Sequence, residues 1–171
     1  MRLYLMRHAE AASAPGPGVH ADADRALTDA GRQDARSVGE GLRRLKLDIR
    51  AVVSSPLRRA LETAKEVSAV LGLSAPVRQW LEVEPGASPA LASRKLAELG
   101  AFSSALVVGH EPHMSAWISE LAGGGQLQCV MKKASVACID LERVPPPDGG
   151  GLLRWLMTAK QLSLIGKAAW Q

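Results

Sequence analysis

The sequence predicts an α/β domain of three layers, with a central, mostly parallel sheet between helices. Short apolar runs alternate with stretches of helical periodicity along the chain, the pattern of strands and helices taking turns. Polar residues fit for chemistry stand at the C-terminal ends of three of those runs, where open α/β sheets bind their ligands. A length of 171 residues suits one domain spanning 1–171, within the range of about 100–200 that a single core serves.

In chain order, Leu3–Met6 reads as a buried strand ending at Arg7-His8. A loop of small residues, Gly and Pro follows from Ala11 to Gly18. Thr28 is suited to N-cap a helix whose apolar positions Ala35, Val38, Leu42 and Leu45 share one face. Ala51-Val52-Val53 is a second strand, ending at Ser54-Ser55. Ser55-Pro56 has the form of an N-cap followed by proline at the first helical position. That helix carries Ala60, Ala64, Val67 and Leu71 on one side and stops at Gly72. Ser88-Pro89 repeats the device before a helix closed by Gly100. Ala105–Val108 is a third strand, ending at Gly109-His110, with a helix expected through Met114, Ile118 and Leu121. Val136–Leu141 and Leu152–Met157 read as later strands, joined by a Pro- and Gly-rich hairpin or crossover.

Composition narrows the function. The net charge of +4 is compatible with nucleic acid, anionic lipid or a phosphorylated substrate. Basic residues occur only in scattered pairs, and aromatics are 4% of the chain with one Phe and one Tyr. A base-stacking platform is therefore poorly supplied, and nucleic acid is not an expected partner. No apolar run approaches bilayer length, so no membrane span is expected. Cys129 and Cys138 form neither a CxxC pair nor a disulfide framework. A cytoplasmic protein with reduced thiols is expected.

Taken singly, the polar residues at the strand ends say little, because a histidine after a strand is commonly structural. Their joint placement says more. Leu5-Met6-Arg7-His8-Ala9-Glu10, Arg25-Ala26-Leu27-Thr28-Asp29-Ala30-Gly31, the segment from Ser54 to Ala64, and Val107-Val108-Gly109-His110-Glu111-Pro112 follow in order. Together they resemble the histidine phosphatase, or phosphoglycerate mutase-like, superfamily, and look most like its SixA-type phosphohistidine phosphatases. Ala9 stands where that family usually has Gly. Ala11 and Ala14 stand where many relatives carry polar phosphate contacts, which favours a phosphoramidate over a sugar phosphate.

The resemblance implies a phosphoglycerate mutase-like fold and a phosphatase with four site residues: His8 as the nucleophile, with Arg7, Arg59 and His110 binding the phosphoryl oxygens. The residue types suit the chemistry. A neutral imidazole is a competent nucleophile near neutral pH, and guanidinium forks match phosphate oxygens. Phosphoryl transfer otherwise asks for positioning and charge neutralisation, so no metal or other cofactor is expected. The family often supplies a carboxylic acid to protonate the leaving group, and here the candidates are Glu82 and Glu84.

The expected substrate is phosphohistidine on a protein partner. The alternatives are a small phosphate ester, handled by a phosphomonoesterase of the same superfamily, or a catalytically idle phosphoprotein-binding module. The presence of both histidines and both arginines argues against the idle module. Several neighbours have plainer readings. Arg58 should point away from the site, since adjacent helical residues do not share a face. His20 falls in a polar loop. His110-Glu111-Pro112-His113 has the wrong spacing for a zinc-binding helix, and His113 is expected to cap the helix that follows. Finally, Gly72–Ser88 has the length of a connecting loop rather than a lid.

Overall fold

The computed structural model describes residues 1–13 and 22–168. The loop to Gly18, Ala14 and His20 therefore lie wholly or partly outside the described residues. Six strands form one sheet: β1 (Arg2–Arg7), β2 (Ala51–Ser54), β3 (Arg78–Gln79), β4 (Ser104–Gly109), β5 (Val136–Leu141) and β6 (Gly151–Met157). Their order is β3-β2-β4-β1-β5-β6. β3, β2, β4 and β1 run parallel, while β5 is antiparallel to both of its neighbours, β1 and β6. The link from β5 to β6 is thus a hairpin.

Side chains alternate across the strands and fill two cores. Leu3, Leu5, Val53, Ala105 and Val107 face one core, completed by α3 (Pro89–Lys95) and α4 (His113–Gly123). Tyr4, Met6, Val52, Leu106 and Val108 face the other, completed by α1 (Asp29–Arg44), α2 (Arg58–Leu71) and α5 (Ala159–Lys167). Central strands apolar on both faces are what a sheet covered on both sides requires. The three layers are as the alternation predicted.

Thr28 caps α1 as expected, its hydroxyl accepting the Gly31 N–H at 3.0 Å. Gly72 closes α2 in the left-handed region. The start of α2 differs from expectation. Leu57, not Ser55, is its N-cap, because the Ser55 N–H is still engaged by the sheet, donating to the Val108 carbonyl at 3.0 Å. His113 differs too. It is the first residue of α4, after Pro112 at the N-cap, and it is buried, with its ring centroid 5.8 Å from that of Trp117. It belongs to the packing rather than to a cap. Between Gly72 and Ser88 stand the two-residue β3 and one 3-10 turn, Leu81–Val83, with no lid domain.

Candidate active site

Strand register builds the site. β1 and β4 are parallel neighbours with Arg7 opposite Gly109, and the His8 N–H donates to the Gly109 carbonyl at 3.0 Å. His8 and His110 therefore leave adjacent strands at the same height. Both rings are buried, with centroids 5.0 Å apart. β4 can end this way because Gly109 has no side chain: a Cβ there would lie 2.5 Å from Cε of Met114 and 3.2 Å from the Val83 carbonyl oxygen.

Helix α2 brings Arg59. Its side chain is buried, while Arg58 turns to solvent and donates to Glu62 at 2.8 Å, as the helix geometry predicted. Thr63 fixes α2 to the end of β1: its hydroxyl accepts the Ala9 N–H at 3.1 Å and donates to the Arg59 carbonyl at 2.7 Å. Arg7 donates from Nη1 to the Met131 carbonyl at 2.8 Å, and its Nε is buried without a partner among the described residues. Both His110 ring nitrogens are likewise buried without partners among the described residues. Buried polar atoms are rarely left so. Together with the Arg7 Nε they form donors and acceptors fitted to an incoming polar group.

The electrostatics suit an anion. Burial pushes the His8 imidazole down to about 4, helped by the charges of Arg59, Arg7 and Arg25 and opposed by its hydrogen bond to the Ala9 carbonyl. Burial likewise pushes His110 down to about 3, with His8 and Arg59 acting in the same direction. Both rings are neutral at physiological pH. His8 Nδ1 lies 2.6 Å from the Ala9 carbonyl oxygen, which can only accept. The proton of the neutral ring is therefore on Nδ1, and the lone pair is on Nε2.

The structure thus brings together Arg7, His8, Arg59 and His110. It also adds two residues that sequence reasoning missed. Asp22, in a 3-10 turn over Asp22–Asp24, receives Arg59 Nη1 on its backbone carbonyl at 2.8 Å and Nη2 on its carboxylate at 3.0 Å. Arg25 donates to the same carboxylate at 2.9 Å and to the Ala12 carbonyl at 2.6 Å. The available signal was their position just before the Leu27-Thr28 segment. The carboxylate candidates divide. Glu82 lies 3.5 Å from Nζ of Lys95, directed toward α3, and Glu84 follows the turn that packs on Gly109. Ala11 is buried and bridged to Leu27. His110 and His113 part company, one facing His8 and the other Trp117. Among the described residues no three His, Cys, Asp or Glu side chains gather as metal ligands, and no helix is long and apolar enough to cross a membrane.

Comparison with known proteins agrees with this geometry. Residues 3–86 match the histidine phosphatase superfamily (branch 1). Phosphohistidine phosphatase SixA of Escherichia coli (strain K12) is 28% identical over 166 residues, covering 96% of this chain and 98% of that protein. The chain belongs to the histidine phosphatase superfamily. An uncharacterized protein of Picosynechococcus sp. (strain ATCC 27264 / PCC 7002 / PR-6) is 32% identical over 125 residues, covering 72% of this chain and 74% of that one. The solved structure of the protein histidine phosphatase SixA complexed with tungstate superposes with a TM-score of 0.83 at 28% identity, covering 95% of this chain and 99% of that one. The alpha-ribazole phosphatase from Shigella flexneri shares the fold, at a TM-score of 0.70 and 20% identity over 93% of this chain and 97% of that one. As a histidine phosphatase of SixA type, the chain has the strand-end histidine pair on the fold this superfamily uses.

Proposed function

We propose that the chain hydrolyses phosphohistidine on a protein partner, in two in-line steps through a phosphorylated His8. The observation that carries this is the state of His8: a buried neutral ring whose Nδ1 faces the Ala9 carbonyl, leaving the lone pair on Nε2 of a ring that lies beside His110 and within reach of the charges of Arg59 and Arg7. The arginines neutralise the phosphoryl oxygens, and a His110 N–H can bind one of them, so transfer needs no metal in this reading. Glu82 is paired with Lys95, so of the two acid candidates Glu84 is the one this reading takes. Residues 1–171 act as a single domain, since both cores cover one sheet. The site of action is the cytoplasm, in keeping with two unpaired thiols.

The likeness to SixA across nearly the whole chain supports a protein-borne phosphohistidine. So does the brevity of Gly72–Ser88, which leaves little structure to enclose a small metabolite. The test is a comparison of kcat/KM for a phosphohistidine-bearing protein and for sugar phosphates. An advantage of about 100-fold or more for the protein is expected, because contacts remote from phosphorus assist the reacting centre. A sugar phosphate turned over faster than any phosphohistidine protein would overturn the substrate while leaving the His8 mechanism standing.

A further inference from the structure

Asp22 occupies a position that neither the histidine pair nor the arginine clamp accounts for. Its carboxylate is held by Arg59 and Arg25 at 3.0 and 2.9 Å. Its charge bears on His110, against the cationic Arg59. Arg59 is 6% exposed and Asp22 58%, so the carboxylate faces outward from the guanidinium. In-line attack by the buried His8 sends the leaving group away from His8, toward solvent, and the Asp22 carboxylate is exposed to solvent while held against Arg59.

We infer that Asp22 selects the leaving group: its carboxylate receives the free ring N–H of a phosphorylated imidazole, which favours P–N substrates over P–O substrates. This rests on the phosphohistidine reading above. The Arg25 and Arg59 partners hold the Asp22 carboxyl below its ordinary range, so it is an acceptor and not an acid near neutral pH. In the first step the His8 Nε2 lone pair forms the new N–P bond. The P–N bond of the substrate breaks, and its electron pair returns to the substrate ring. A ring protonated on its other nitrogen then departs as neutral imidazole, keeping that proton on the Asp22 side. Water next adds to phosphorus, the bond to Nε2 breaks, His8 is restored with its proton on Nδ1, and dihydrogen phosphate leaves. An alkyl ester would instead expel an alkoxide, which needs a proton that ionised Asp22 does not hold. A dianionic ester would also meet the carboxylate as a like charge.

Asp22→Asn separates the charge from the contact, because the amide carbonyl still accepts from Arg59. The assay compares kcat/KM for free N-phosphorylhistidine and for p-nitrophenyl phosphate, whose leaving group needs no proton donor. The expected result is a fall of about 10-fold or more in the ratio, the size of a lost charged hydrogen bond, because the N-phosphorylhistidine value falls by more than the p-nitrophenyl phosphate value. Asp24→Asn, in the same turn, should leave the ratio as it is. An equal fall on both substrates would show that Asp22 acts through Arg59 alone, and no change on either would show no role; each result overturns the inference. A wild-type chain that cleaves p-nitrophenyl phosphate but not N-phosphorylhistidine would instead overturn the substrate reading, and this inference with it.

Discussion

The hydroxyl of Thr63 accepts the Ala9 N–H at 3.1 Å while donating to the Arg59 carbonyl at 2.7 Å, so one side chain joins the helix carrying the arginine to the strand end carrying the nucleophile. Thr63→Val keeps the shape and leaves the buried Ala9 N–H without a partner. It should cost about 1–3 kcal/mol of stability and lower kcat/KM, whereas Thr63→Ser should retain most of both. Denaturant midpoints and steady-state kinetics on the two variants check this.

Arg59→Lys keeps the charge and loses the fork. It should cost about 2–4 kcal/mol of transition-state stabilisation. Arg58→Lys should be near neutral, since the exposed pair with Glu62 is worth no more than about 0.5 kcal/mol. Reversal of the two effects in kcat/KM would put the wrong arginine in the site.

The histidine pair sets an acid limit. Both rings have folded pKa values, about 4 for His8 and about 3 for His110, below the unfolded value. The unfolded chain therefore takes up more protons as pH falls. Their contribution is present in full above about pH 6.5 and is lost as pH drops toward 4. Stability should decline between pH 6.5 and 5, before most carboxylates titrate. His110→Asn should flatten that decline in denaturant titrations at stepped pH.

Gly31 shows why the first-helix motif ends in glycine. A Cβ there would overlap the Glu10 carbonyl, the group that also accepts the Thr28 N–H at 3.1 Å. Gly31→Ala should destabilise by about 1–3 kcal/mol through this overpacking, read as a lowered Tm, and should displace the segment just after His8.

Chelation bears on the arginine clamp. With positive charge supplied by Arg7 and Arg59, activity after EDTA treatment and desalting should equal the untreated value. A loss restored by a divalent cation would assign part of that charge to a metal.

Much of this arrangement was legible in the sequence. Apolar runs flanked by helical periodicity located five of the six strands, and the residue types at three strand ends located Arg7, His8 and His110. Arg59 was placed by the resemblance of the Ser54–Ala64 segment to the family motif, and helical geometry then turned Arg58 away from it. What escaped was set by tertiary contact. β3 is two residues held by pairing with β2, too short to leave a pattern. Ser55 resembled a cap but stays in the sheet ladder. His113 resembled a polar terminus but packs on Trp117. α5 left a readable signal in its capping box, Thr158 with Gln161, ahead of Leu162 and Ile165. Asp22 carried no signal beyond its place ahead of the Leu27-Thr28 segment, because its meaning lies in a guanidinium 37 positions away.

The most direct test of the account is the chemistry of His8 itself. Brief incubation with a phosphoryl donor, quenched without acid and mapped by mass spectrometry, should place one base-stable, acid-labile phosphate on His8, and His8→Ala should lose both the label and turnover while still folding. Label on Ser54 or Ser55, or label that survives acid, would contradict it.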